Sequence, residues 1–159
     1  TPATPRPADQ TPAPTPQPVA ALPPNLRNIS GGTTTCPDHP DIASEFPTVD
    51  PAFLLRVDAQ LTYPPAGESG NGAGIDRVEF VVDGVDFSHT ERVAGYCIFE
   101  GGEPDCRDWP RDAFGRLTWG AGGPLVVDGD YRITATVYPR PETGAVECHW
   151  NVLLTIDIP

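Results

Sequence analysis

The chain has no lysine and no methionine, so all ten of its basic residues are arginine. Against them stand 22 aspartates and glutamates, for a net charge of -12. Such an acidic surface repels nucleic acid and anionic lipid, which sets both aside as partners. No apolar run approaches the roughly 20 residues of a membrane helix, so no membrane span is expected. No signal peptide opens the sequence, so export would mean a leader removed upstream of Thr1. Cysteine is limited to Cys36, Cys97, Cys106 and Cys148, with no C-x-x-C pair, which argues against a zinc site.

Reactive constellations are missing too. The histidines are His39, His89 and His149, without H-x-x-x-H or H-E-x-x-H spacing. Ser30, Ser44, Ser69 and Ser88 lie in no nucleophile-elbow pattern. Cys148 and His149 are neighbours on an expected strand and point to opposite faces, so they form no dyad. Asp83 with Asp86, and Asp128 with Asp130, sit in turns, where aspartate bonds local backbone. A weak calcium site between loops is the alternative, although the D-x-D-x-D-G loop is absent. The expectation is a non-enzymatic protein with no metal and no cofactor.

What the chain does have is 21 prolines, 16 glycines and short alternating segments. In Gly129–Tyr138, Tyr131, Ile133, Ala135 and Val137 recur at period two, which reads as a strand with one buried face. In Cys148–Ile158, residues Cys148, Trp150, Val152, Leu154, Ile156 and Ile158 share a face, and the two segments read as a closing hairpin. Phe53 to Tyr63 alternates in the same way, as do Val78, Phe80 and Val82 before an Asp83-Gly84 turn. A short edge strand is expected around Ile42 to Phe46, a polar edge strand over Val85 to Ala94, and a short strand from Phe114 to Trp119 anchored by Leu117 and Trp119. About seven strands without any helical period predict an all-β sandwich over 31–159. Trp119 and Trp150 read as core; Trp109, beside Pro110 in the Cys97–Cys106 region, would, if exposed, mark a contact with another chain or a glycan.

Four cysteines allow three pairings. The Gly-Gly-Glu-Pro turn between Cys97 and Cys106 pairs them locally, leaving Cys36 with Cys148. Two disulfides imply an oxidising, extracellular or cell-surface location.

Residues 1–30 differ in kind. Nine prolines precede Asn25, and proline removes donors and fixes φ, so this segment favours extended polyproline II. At about 3.1 Å per residue it spans about 90 Å. Its Thr-Pro dipeptides make Thr4, Thr11 and Thr15 candidate O-glycan acceptors, with an unmodified linker as the other reading. Asn28-Ile29-Ser30 is an N-glycan acceptor triplet. Val19, Ala21, Leu22 and Leu26 are apolar positions that could dock on a neighbour's sheet edge or on the chain's own domain.

The segments IDRVEFVVDG, LTW after an aromatic, DGDYRITATVY and NVLLTIDI together resemble bacterial immunoglobulin-like (Big-type) extracellular domains, over about Phe53 to Ile158. The resemblance implies an immunoglobulin-like sandwich and a tyrosine corner at Tyr131. The Cys97–Cys106 loop is an insertion relative to that pattern. The Cys36–Cys148 bridge would tie the first strand beside the last, in line with a parallel pairing. Such domains serve as spacers, adhesins, binding modules and fibre subunits. The leading expectation is a glycosylated homo-oligomeric fibre subunit whose tail docks on a neighbouring copy. The alternative is a carbohydrate- or protein-binding module of a larger exported protein. Mass spectrometry checks the glycans: tail peptides from native material are expected to carry sugar masses at Thr4, Thr11 or Thr15, and bare peptides throughout would leave an unmodified linker.

Overall fold

The alternation after Asp128 becomes one long strand, Gly129–Pro139, with Ile133, Ala135 and Val137 buried. The strand Cys148–Asp157 buries Cys148, Trp150, Val152, Leu154 and Ile156. The two pair antiparallel from Cys148↔Val137 to Ile156↔Gly129 without a slip. A one-residue slip would turn both apolar rows to water, so burial itself sets this register.

The computed structural model describes residues 2–3, 25–31, 35–45, 48–49, 55–102 and 105–158, and for 25–31 and 48–49 the backbone. In chain order the strands are β1 (Asn25–Gly31), β2 (Ile42–Ser44), β3 (Thr48–Val49), β4 (Leu55–Val57), β5 (Ala59–Leu61), β6 (Ile75–Val82), β7 (Ser88–Glu91), β8 (Tyr96–Cys97), β9 (Gly129–Pro139) and β10 (Cys148–Asp157). One antiparallel sheet has the order β1-β10-β9-β6-β7. The other strands form the ladders β3-β4-β8 and β2-β5. Both sets contribute to one core: Leu55, Val57, Ala59, Leu61 and Tyr96 join Val78, Phe80, Ile133, Val137, Trp150 and Val152. The chain is an all-β sandwich, with no α-helix among the described residues. No helix among the described residues is long and apolar enough to cross a membrane.

Several expected strands are shorter than the sequence suggests, for local reasons. Leu55, Val57, Ala59 and Leu61 are buried in alternation, but Asp58 breaks the ribbon. Its carboxylate accepts from Arg56 Nε at 2.9 Å and Asn71 Nδ2 at 2.6 Å, while Asn71 Oδ1 accepts the Ala59 N–H. Phe53 lies outside the described residues, and Tyr63 is 87% exposed, not on the buried face. The strand ends at Leu61 because Pro64 and Pro65 follow and offer no donors. Phe114 to Trp119 is no strand, only the bridges Arg111↔Leu117 and Thr118↔Leu125. There Asp112 Oδ1 accepts the N–H groups of Phe114 and Arg116, an Asx-type turn that leaves Phe114 exposed. Leu117 and Trp119 are buried, and β7 is the expected polar edge strand.

The loop before β6 is tied to the end of β9. Glu68 accepts the Gly74 N–H at 2.9 Å and pairs with Arg140. The hydrogen bond from Arg140, then that from Gly74, holds the Glu68 carboxyl below its ordinary value.

The ordered sheet begins upstream of residue 31. β1 runs antiparallel along β10, from Asn25↔Asp157 to Gly31↔Val152, with one irregularity between Leu26 and Ile29. The run continues with Thr35 N–H donating to the His149 carbonyl at 3.1 Å and closes on the Cys36–Cys148 bridge. The expected parallel pairing of first and last strands is therefore corrected. The first strand approaches the start of β10, where the disulfide sits, so the two chains run in opposite directions. Leu26 and Asn28 fall on β1, Leu26 opposite Ile156 of its own chain and Asn28 at the irregularity. Thr4, Thr11, Thr15, Val19, Ala21 and Leu22 lie outside the described residues.

The Cys36–Cys148 bridge spans a separation of 112 residues and Cys97–Cys106 one of 9. Loop-closure entropy then predicts a loss of about 5 kcal/mol for the double variant C36A/C148A and about 2.5 kcal/mol for C97A/C106A. Urea unfolding midpoints check this; a larger loss from the short loop would contradict the ordering.

Candidate functional site

A sandwich interior is normally lined by apolar side chains from both sheets. At one edge this pattern fails. β7 is the last strand of its sheet, and the positions that continue the buried face are Phe87, His89 and Glu91. Glu91 is only 6% exposed. Its Oε1 accepts the N–H groups of Arg92 at 2.8 Å and Val93 at 2.9 Å, and its Oε2 lies 3.3 Å from His89 Nε2. A buried carboxylate needs such partners, because leaving it unsatisfied is costly.

Facing these residues is the loop closed by Cys97–Cys106. Glu100 has φ +74°, the one non-glycine residue with a left-handed backbone among those described. Its carbonyl accepts the Arg107 N–H at 3.0 Å, and its carboxylate pairs with Arg107 Nη1 at 2.7 Å. Both side chains are exposed, so this ion pair adds little stability; it fixes where the two charges stand. Behind the loop the rings are packed at tilted angles. Centroid separations are 4.8 Å for Phe99–Trp109, 5.3 Å for Trp109–Trp119 and 5.6 Å for Phe87–Phe99.

Between these walls lies a cleft of about 630 Å³. Asp86, Ser88 and His89 line one side, and Phe99, Glu100, Arg107 and Asp108 another, with the Gly120–Gly123 turn completing it. An adjoining hollow of about 430 Å³ shares His89, Glu100 and Arg107 and adds Glu91, Val93 and Gly101. Trp119 lines the cleft, and its indole N–H has no acceptor among the described residues. Nearby, burial pushes the Tyr96 hydroxyl up to about 12, with the charges of Asp76 and Glu91 adding to it, so it stays protonated in the physiological range. Ser88 and His89 alternate across the strand and form no nucleophile–base pair. What the cleft offers is carboxylate acceptors, one imidazole, one guanidinium and a small apolar floor.

Of the residues singled out in the sequence, Asp86, Ser88, His89 and Trp119 line this cleft, and the others fall elsewhere. Trp109 borders this region but is buried, its Nε1 donating to the Thr118 carbonyl at 2.8 Å, so the condition for a surface contact there is not met. Phe99 and Trp119 pack against it, and the Thr118 N–H bonds the neighbouring Pro110 carbonyl at 2.9 Å. Trp119 and Trp150 are core residues. The Tyr131 hydroxyl donates to the Val127 carbonyl at 2.6 Å, four residues upstream. Asp128 Oδ1 accepts the Ile158 N–H, and Asp130 Oδ1 accepts from Thr155 Oγ1. No cluster able to hold a metal ion is found among the described residues. His149 lies beside Thr35 and His39 Nδ1 accepts the Asp41 N–H.

Sequence reading did not select Glu91, Glu100 or Arg107. A signal for Glu91 existed: polar residues at the inward period-two positions of an expected strand. Glu100 and Arg107 carried no periodic mark. Comparison with protein-family models, with curated proteins and with solved structures finds no match.

The Gly120–Gly123 turn generates a stability test. A Cβ on Gly123 would stand 1.8 Å from the Trp119 carbonyl oxygen, whereas Gly122 meets open space and is limited only by its φ of +70°. Gly123→Ala is expected to cost about 3 kcal/mol or more and Gly122→Ala about 1 kcal/mol. Urea unfolding followed by tryptophan fluorescence measures both; equal costs would show that the turn is not held against Trp119.

Proposed function

We propose that this chain is a non-enzymatic extracellular module of bacterial immunoglobulin-like type, displayed on its Thr/Pro segment, that binds a carbohydrate or protein partner in the cleft beside β7. One observation carries this reading. The inward face of β7 is polar and borders a cleft, at a position where a sandwich otherwise buries apolar side chains. Two disulfides suit an exported protein, and the acidic surface keeps it soluble.

A fibre subunit is the second reading, and a specific observation bears on it. Of the two edges of the five-stranded sheet, the one at β10 is covered by the chain's own β1. A fibre built at that edge would require copies to exchange β1 rather than simply to add a tail. The Cys36–Cys148 bridge pins the end of that run beside β10, which raises the effective concentration of β1 at its own edge. This favours the closed single chain at that edge, and the polar lining beside β7 is the ground for preferring the binding module.

Nuclear magnetic resonance with a peptide panel and an oligosaccharide panel tests the cleft. Shifts are expected at Ser88–Glu91, Ile98–Gly102 and Gly120–Gly123. Shifts confined to other surfaces, or filaments of the full chain in electron micrographs, would count against the binding module.

A further inference from the structure

The cleft also runs along a sheet edge that no other described strand covers. β7 pairs with β6 on one side only, through Val81↔Ser88, Phe80↔His89, Glu79↔Thr90 and Val78↔Glu91. The Val82 N–H donates to the Phe87 carbonyl, which makes 82 and 87 a hydrogen-bonded pair. In an antiparallel ladder such pairs alternate, so His89 and Glu91 also turn their main-chain groups toward β6. Ser88 and Thr90 therefore turn theirs away from it. No described residue outside the ladder bonds the backbone of either. Both side chains are exposed.

Two properties decide what such an edge takes. The first is shape. The rings beside the cleft are tilted against one another, and Trp119 and Phe99 are only 2% and 6% exposed. No flat open ring is presented on which a sugar would stack. Unpaired N–H and C=O groups at β-strand spacing are the complement of an extended polypeptide. The second is charge. Asp86, Glu91, Glu100 and Asp108 stand along the cleft and its adjoining hollow, against one guanidinium, Arg107, which Glu100 already engages. An incoming strand bearing lysine or arginine would meet the carboxylates of Asp86 and Asp108, which pair with no cation among the described residues, and an acidic one would be repelled.

We infer that the partner is an extended, basic polypeptide segment that adds as a further strand to β7, taking main-chain hydrogen bonds from Ser88 and Thr90 and directing a cationic side chain to Asp86 or Asp108. This rests on the cleft being the binding site, and it selects protein over carbohydrate. The occupant is a different protein. A second copy of this chain, at a net charge of -12, would bring like charge to the edge.

The test uses the full chain and peptides of about six residues that alternate lysine or arginine with threonine or valine. They are expected to shift the Ser88 and Thr90 amides and slow their hydrogen exchange. The same peptides N-methylated on alternate amides are expected to lose binding, a control that leaves the protein untouched. Thr90→Pro removes an N–H that β6 does not use, so it should melt near wild type yet bind about tenfold more weakly. Asp108→Lys should weaken binding by a similar factor and flatten its salt dependence. Binding that survives both N-methylation and Thr90→Pro overturns strand addition while leaving the cleft as the site. Oligosaccharides shifting the cleft residues when the peptides do not would replace the polypeptide with a glycan. If neither panel moves the cleft residues, the cleft reading and the strand addition fall together.

Discussion

Everything in this sandwich hangs on the unbroken antiparallel register between β9 and β10. It brings Trp150 opposite Ala135 and Val152 opposite Ile133, so a large side chain stands over a small one and the two apolar rows make one surface. β6 then adds to the other side of β9, with Phe80 opposite Ala135. Ala135 is thus flanked by Phe80 and Trp150, and its small size leaves room for both rings. The rows of β4 and β5 cover that surface from the second layer. Burying each such side chain contributes about 1.5–3 kcal/mol.

The same construction creates the cleft proposed as the binding site. A flat sheet has two edges, and the chain treats them differently. At β10 the edge is closed by β1 and fastened by Cys36–Cys148. At β7 the strand is only four residues long, and the second disulfide fixes a loop opposite it without pairing to it. Short edge strands and buried charge are devices that discourage indiscriminate strand pairing. Here they leave an opening with a defined lining: Glu91 is satisfied by its own strand's end, while Glu100 and Arg107 hold each other across the loop. A rigid frame with a small polar opening is how binding residues are carried on many scaffolds.

How far local pattern carried the reading differs from element to element. β6, β9 and β10 were plain in the chain because each alternates over several residues with β-branched apolar positions. The local Cys97–Cys106 pairing followed from nine residues and a glycine-rich turn. The stretch from Phe114 to Trp119 was misread because Asp112 captures the backbone locally, and that competition leaves no periodic trace. The burial of Trp109 was not legible for a related reason: a tryptophan next to proline in a loop gives no sign of whether the loop folds over it. β1 was invisible as a strand of this sheet, since Asn25 to Gly31 has no clear alternation and is recruited by pairing with β10.

Composition and periodicity were thus enough for the class of fold, for the acidic exterior and for the strands that own a buried face, because each is set by neighbours one or two residues away. The cleft, the direction in which β1 runs and the partners of Glu91 and Arg107 belong to the folded molecule. They arise from residues that the turns bring together from distant parts of the chain, and no local spacing encodes which edge of a sheet is left open.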